Sequence, residues 1–281
     1  MIALVGVVFS MIPLTARLAS LGRIFFAISI VAFGLLHFIY GDFVTRVVPS
    51  WPGWIPARAF WVTVIGTVLV VAGFAQLFRI KARAVALFLA GMILLSFFFL
   101  HLPAAVRDGL WGGQWTSAGK ALTMCAGAFG LFVWSRENRG DAAGAPRVPA
   151  ELNEILLIVG RIFFAAFLVL CGIQHFMWTV FVNTLVPSWM PGPATFWTDF
   201  AGVALIAGGF GLVVPKTARL AALLTGAMIF TWFVVLHIPR ALAAADAQRA
   251  NEVTAVFEAF GFSGVAWMLA GMPGVDPRKE A

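Results

Sequence analysis

The chain has 281 residues, 62% of them hydrophobic and only 11% charged, with a mean hydropathy of +0.97 and a formal net charge of +7. A soluble domain draws about a quarter of its residues from the charged set and cannot hide this much apolar surface, so a soluble globular enzyme is excluded. The basic residues sit at the ends of apolar runs and form no patch, which sets nucleic acid aside as a partner.

Taken in order, residues 1–16 are apolar up to Pro13 and either lie along a membrane interface or lead into the first spanning helix. They lack the basic start and cleavage site of a removable signal peptide. The first spanning run covers 21–40. Residues 41–59 form a loop dense in Pro, Gly and Trp; proline forbids a regular helix and tryptophan suits the headgroup level. Runs two and three, 60–78 and 84–102, are parted by Arg79, Lys81 and Arg83, and run four covers 117–134. Residues 136–150 are the long polar, Gly/Pro-rich stretch and read as a cytoplasmic linker. The pattern restarts with 155–180, a Pro/Trp loop through Pro193, then 196–214, 220–238 and 253–272, before a tail at 274–281. Each run has roughly the 20 residues that cross a bilayer core of about 30 Å.

The second half repeats the first. Val48-Pro49-Ser50-Trp51 returns as Val186-Pro187-Ser188-Trp189, and Gly22-Arg23-Ile24-Phe25-Phe26 as Gly160-Arg161-Ile162-Phe163-Phe164, both 138 positions on. The second loop is two residues shorter, so beyond it the offset is 136: Leu100-His101-Leu102-Pro103 matches Leu236-His237-Ile238-Pro239. The expected fold is therefore all-α and integral to a membrane, with eight transmembrane helices in two tandem four-helix bundles, 17–135 and 151–273. Four crossings per half send both halves in the same way, so a pseudo-two-fold along the membrane normal relates them. Thirteen Lys and Arg fall on the side of the termini and linker and six on the other, which places both termini in the cytoplasm and the V-P-S-W loops outside. A bacterial inner membrane is the expected location.

Ionisable residues inside a membrane are costly and face the bundle interior or a cavity. All four histidines fall in or at the ends of spanning runs and are paired by the repeat: His37 with His175, His101 with His237. Counting from Arg23 and Arg83 at helical rise puts His37 about 21 Å and His101 about 27 Å from the basic side, under the V-P-S-W loop of their own half. Lys120 and Glu258 stand at matching positions of the fourth and eighth runs with opposite charge. They either form a salt bridge between the halves or each snorkel outward. Tyr40 is one turn past His37. Trp51 and Trp189 either anchor the chain at the headgroups or offer a flat ring something to stack on. The histidines either fix helix packing or form a site; the spacing alone does not set two of them across one iron, so haem and metal are not expected. Pro103 and Pro239, two positions after a histidine, mark a helix end or free a carbonyl in a polar niche. Cys125 and Cys171 lie far apart inside apolar runs and read as buried and inert.

At these residues the chain resembles the DoxX-like membrane proteins. The marks are G-R-I-F-F at a helix start, a G-x-x-H-F turn (Gly34 to Phe38 and Gly172 to Phe176), the V-P-S-W loop, and a short basic link before the third helix. Each half looks like one complete four-helix member. The resemblance implies a redox-related role at the membrane with a quinone pool nearby, and it assigns catalysis to no residue. The expected function is a membrane subunit or quinone-interacting partner of an oxidoreductase system, served by a redox partner protein. His37 and His175 are the expected catalytic pair, since imidazole titrates near neutral pH and can move the proton that accompanies quinone reduction. His101, His237, Lys120, Glu258, Trp51, Trp189 and Tyr40 would bind the ligand. A non-enzymatic small-molecule or lipid transporter, and a scaffold for a soluble partner, are the alternatives.

Overall fold

The computed structural model describes residues 2–44, 48, 51–109, 112–137 and 149–272. Residues 138–148 of the 136–150 linker, the 274–281 tail, and Arg46, Pro49 and Ser50 lie outside the described residues. Among those described, every regular element is helical, and eight stretches are long and apolar enough to cross a membrane.

The first half holds α1 (Ile2–Tyr40), α2 (Arg58–Leu77), α3 (Ala82–Ser96), α4 (Leu102–Arg107) and α5 (Gly113–Glu137). The second holds α6 (Ala150–Met177), α7 (Thr179–Asn183), α8 (Ala194–Val213), α9 (Ala218–Trp232), α10 (Ile238–Ala243) and α11 (Asp246–Gly271). α1 has 39 residues, so the apolar lead-in runs unbroken into Leu14–Tyr40, a stretch long and apolar enough to cross a membrane. The whole helix is about 58 Å long at 1.5 Å per residue, well beyond a bilayer core.

The two prolines do not end their helices. α3 passes into α4 through a π-helical turn, Phe97–His101, and α9 passes into α10 through its counterpart, Phe233–His237. The amide of Leu102 donates to the Phe97 carbonyl five residues back, and that of Ile238 to Phe233. Proline lacks an N–H and its ring collides with the carbonyl four residues back; a widened turn just before it absorbs both faults. Each segment therefore continues as one apolar stretch long enough to cross a membrane, Ala82–Arg107 and Ala218–Ala243. One extra residue in a turn also rotates the helix before it by about 100° relative to the helix after it. Both turns end on a histidine, His101 and His237.

The helices pack in chain order round a closed ring. α1 lies on α2, α3 on α5, α5 on α6, α6 on α8, α9 on α11, and α11 returns to α1; α5 and α11 meet across the middle. α1 barely touches α5, the last helix of its own half. The halves thus close on each other, α1 along α11 and α6 along α5, and these two seams are equivalent under the repeat.

Small residues set how close the seams come. A Cβ on Gly264 would stand 2.5 Å from the Gly22 carbonyl oxygen, so α1 and α11 touch backbone to backbone. The equivalent pair is Gly160 and Ala126, where a Cβ on Gly160 would meet the Ala126 Cα at an ordinary 3.6 Å. Phe26, Ile30, Leu131, Phe164, Leu168 and Met268 fill the interior at under 2% exposure. The outside is apolar as well: Val71, Phe78, Phe99, Val180 and Phe210 are each more than 60% exposed. Water would penalise such a surface and hydrocarbon would not.

Gly264→Ala is expected to lower the melting temperature of the detergent-solubilised chain, because overpacking a tight contact costs about 1–3 kcal/mol, or roughly 3–10 °C. Gly160→Ala is expected to leave it within the error of the scan. Equal effects at the two positions would contradict the difference between the seams.

Candidate functional site

The centre of the ring holds a buried ion pair. Lys120 on α5 donates from Nζ to both carboxylate oxygens of Glu258 on α11, at 3.0 and 2.9 Å. The side chains are 12% and 7% exposed. Of the two sequence alternatives, salt bridge or outward snorkelling, the geometry is that of the salt bridge. The π turn carrying His101 lies against α5, and the one carrying His237 lies against α11. Each therefore packs on a helix that supplies one partner of the pair.

His37 and His175 share a second arrangement. The Nδ1 of His37 is 2.7 Å from the Phe33 carbonyl, and that of His175 is 2.7 Å from the Cys171 carbonyl. A carbonyl oxygen only accepts, so Nδ1 carries the proton and donates in both rings. In the neutral ring this leaves Nε2 as an acceptor with its lone pair free for another group.

The surroundings of the two rings then diverge. In the second half a cavity of about 560 Å³ opens beside His175. His237, Lys120 and Glu258 also line it, so one cavity takes polar groups from both halves. The rest of the wall is chiefly apolar and aromatic, with Trp189, Trp197 and Trp232 among the rings. Val186, Pro187 and Trp189 place the second V-P-S-W loop over the cavity, as the chain-order reading expects. His37, by contrast, is 0% exposed and its Nε2 has no hydrogen-bond partner among the described residues. Phe43 stands edge-on to it at 5.9 Å and stacks on Trp51 at 4.5 Å. Phe43 thus makes ring contacts with both His37 and Trp51.

The repeat locates the cause. Phe181 is the counterpart of Phe43, and the short helix α7 turns it out to 60% exposure while Phe43 is 5% exposed. Phe33, 1% exposed, also stands where the second half has the smaller Cys171. Bulk in one half thus occupies the space that is open in the other. Tyr40 ends α1 at 38% exposure and, with His37, His101 and Trp51, is not part of the cavity wall.

Sequence reasoning passed over Thr116 and its partner Gln174, and read Cys171 as buried when it is not. Thr116 donates to Gln174 Oε1 at 2.7 Å, tying α5 to α6 beside His175, and Thr116 lines the cavity. Gln174 immediately precedes His175, and a polar side chain inside so apolar a run was the signal available. Cys171 is half-buried and on the cavity wall rather than sealed in the core. Cys125 is buried as expected, and both thiols are free. Among the described residues no group of three or more His, Cys, Asp or Glu is placed to hold a metal ion.

A family model described as a domain of unknown function (DUF8561) matches residues 164–260, a span that takes in His175, the second V-P-S-W loop, His237 and Glu258. No curated protein and no solved structure matches the chain.

Breaking a buried ion pair strands one charge, at a cost of about 3–5 kcal/mol, whereas replacing both partners by apolar residues is close to neutral. Glu258→Ala and Lys120→Met are each expected to destabilise the solubilised chain by that order. The double replacement Lys120→Met with Glu258→Met should recover most of the loss, and so should the exchange Lys120→Glu with Glu258→Lys. A double-mutant cycle in chemical denaturant reads this; strictly additive losses would show that the pair is not coupled.

Proposed function

We propose that the chain is an integral membrane protein of eight crossings whose second-half cavity binds the ring of a quinone-class molecule, as a subunit or partner of an oxidoreductase system. The carrying observation is the cavity itself: a mainly apolar, aromatic-walled space of about 560 Å³ with His175, His237 and a Lys–Glu pair on its wall. Ligand sites for flat apolar molecules have this character and this size, with a few polar groups set among hydrophobic rings. His175 contributes Nε2 as the acceptor for a quinol hydroxyl, because Nδ1 is committed to Cys171. Reduction of the quinone takes two electrons, supplied by a redox partner protein, and two protons. His175 and the groups of the ion pair are side chains on the wall able to pass protons.

Membrane insertion is supported by the eight apolar helices and by the apolar outer surface. The proposed axis along the membrane normal is supported by the ion pair. Lys120 and Glu258 are equivalent under the repeat and bond to each other, and only positions at a two-fold contact their own equivalents. The count of Lys and Arg supports cytoplasmic termini, with the cavity toward the opposite face. The DoxX-like marks, present in both halves, support the redox setting.

A short-chain ubiquinone analogue added to the purified protein is expected to quench tryptophan fluorescence saturably, at one site per chain, since Trp189, Trp197 and Trp232 line the cavity. His175→Leu should weaken binding by about tenfold, the equivalent of one hydrogen bond of about 1.4 kcal/mol. His37→Leu should leave it unchanged, because Phe43 covers that ring. Non-saturable quenching, or equal effects of the two replacements, would contradict the reading.

A further inference from the structure

The two halves treat one repeated arginine differently. Arg23 and Arg161 stand 138 positions apart in the same G-R-I-F-F segment, and they are 7% and 8% exposed. The protein satisfies part of the Arg23 guanidinium, although its Nε, like that of Arg161, is buried without an acceptor. The Nη1 of Arg23 donates to the Gln76 carbonyl at 2.6 Å and the Leu77 carbonyl at 3.4 Å, in the last turn of α2. A helix C-terminus leaves carbonyls unpaired and favours a cation. The guanidinium of Arg23 also lies 4.9 Å from the ring centre of Trp134.

Arg161 has kept its place and lost these partners. Met272 stands where the first half has Trp134. α8 ends at Val213, and Val214-Pro215 come next. Among the described residues Arg161 makes no hydrogen bond and no ion pair, and its Nε is buried without an acceptor. Its charged neighbour is another cation, Arg219 in the first turn of α9, as Arg79 is for Arg23. Lys216 is exposed on the link between α8 and α9. The carboxylates on its own helix, Glu151 and Glu154, are exposed and not ion-paired to it. A buried guanidinium beside a second cation, with no acid paired to it among the described residues, is unfavourable until an anion joins them.

We infer that Arg161 and Arg219 hold a phosphate group, either that of an anionic phospholipid headgroup or free inorganic phosphate. The planar guanidinium fork presents paired N–H donors that match two phosphate oxygens. Arg161 lies 14 residues before His175 on α6, about 21 Å along the axis, so the phosphate site is at the opposite end of the bundle from the cavity. On the proposed membrane placement that is the basic face, at the depth of the lipid phosphates. A net anionic headgroup suits two cations better than a zwitterionic one, whose ammonium offsets its phosphate. The two arginines make this site whether or not the cavity binds a quinone.

The test uses the full chain in nanodiscs of phosphatidylcholine, with or without a minor fraction of phosphatidylglycerol, read by thermal unfolding. A parallel arm titrates inorganic phosphate against the chain in non-ionic detergent. Phosphatidylglycerol is expected to raise the melting temperature of the wild type and of Arg23→Gln by several degrees. The gain should vanish in Arg161→Gln and in Arg219→Gln. The same Arg161-dependent gain from inorganic phosphate, with none from the lipid, would assign the site to the free ion. The inference is overturned if neither probe distinguishes wild type from these two variants, or if Arg23→Gln loses the gain equally. Should Arg161→Gln fail to fold, Arg219→Gln, at a half-buried position, and Arg161→Lys, which keeps a charge but not the fork, carry the comparison. Quinone quenching measured on the same variants stays at the wild-type value, which keeps this outcome separate from that of the cavity.

Discussion

Lys120 and Glu258 constrain everything around them. Two opposite charges in an apolar interior must meet, and they come from the two halves of the chain. Their contact fixes α5 against α11 at the centre of the ring, and it fixes the register of both helices. The seams on either side, α1 along α11 and α6 along α5, are then set by small residues such as Gly22 and Gly264. The same pair forms part of the cavity wall, so the interaction that joins the halves also supplies the cavity's charge.

A duplicated chain has a freedom that a homodimer of single units lacks. At a two-fold axis, identical chains place the same residue opposite itself, so a lysine would face a lysine. Fusion lets the two copies diverge, and lysine can then face glutamate across the axis. The same freedom shows elsewhere. Phe43 turns inward and fills one half, while Phe181 turns outward and leaves the other open. Arg23 rests on its own protein's carbonyls, while Arg161 has no such rest. In each case one copy is filled or bonded by its own half and the other is left more open.

The sequence carried the elements and the repeat well. Eight apolar runs, the equivalence of the histidine pairs and the opposition of Lys120 to Glu258 were all readable, because each rests on residue type and spacing. The helix ends were less so. Pro103 and Pro239 pointed to a helix end or a freed carbonyl, but a π turn accommodates each ring, and hydropathy carries no signal for a turn widened by one residue. The ring closure was also hidden, since which helix α1 packs against depends on contacts between glycines near opposite ends of the chain. Equivalence under the repeat made His37 and His175 look alike. The inward Phe43 and the bulk of Phe33, against the outward Phe181 of α7 and the smaller Cys171, separate them.

If the cavity shared by His175, His237 and the ion pair holds a quinone-class molecule, the chain should carry one out of its own membrane. Native mass spectrometry of the intact chain, released gently from that membrane, addresses this without any added ligand. The predicted spectrum shows the chain with the added mass of one isoprenoid quinone. The bare chain, or a chain carrying phospholipid alone, would contradict the claim and return the histidines to a role in helix packing.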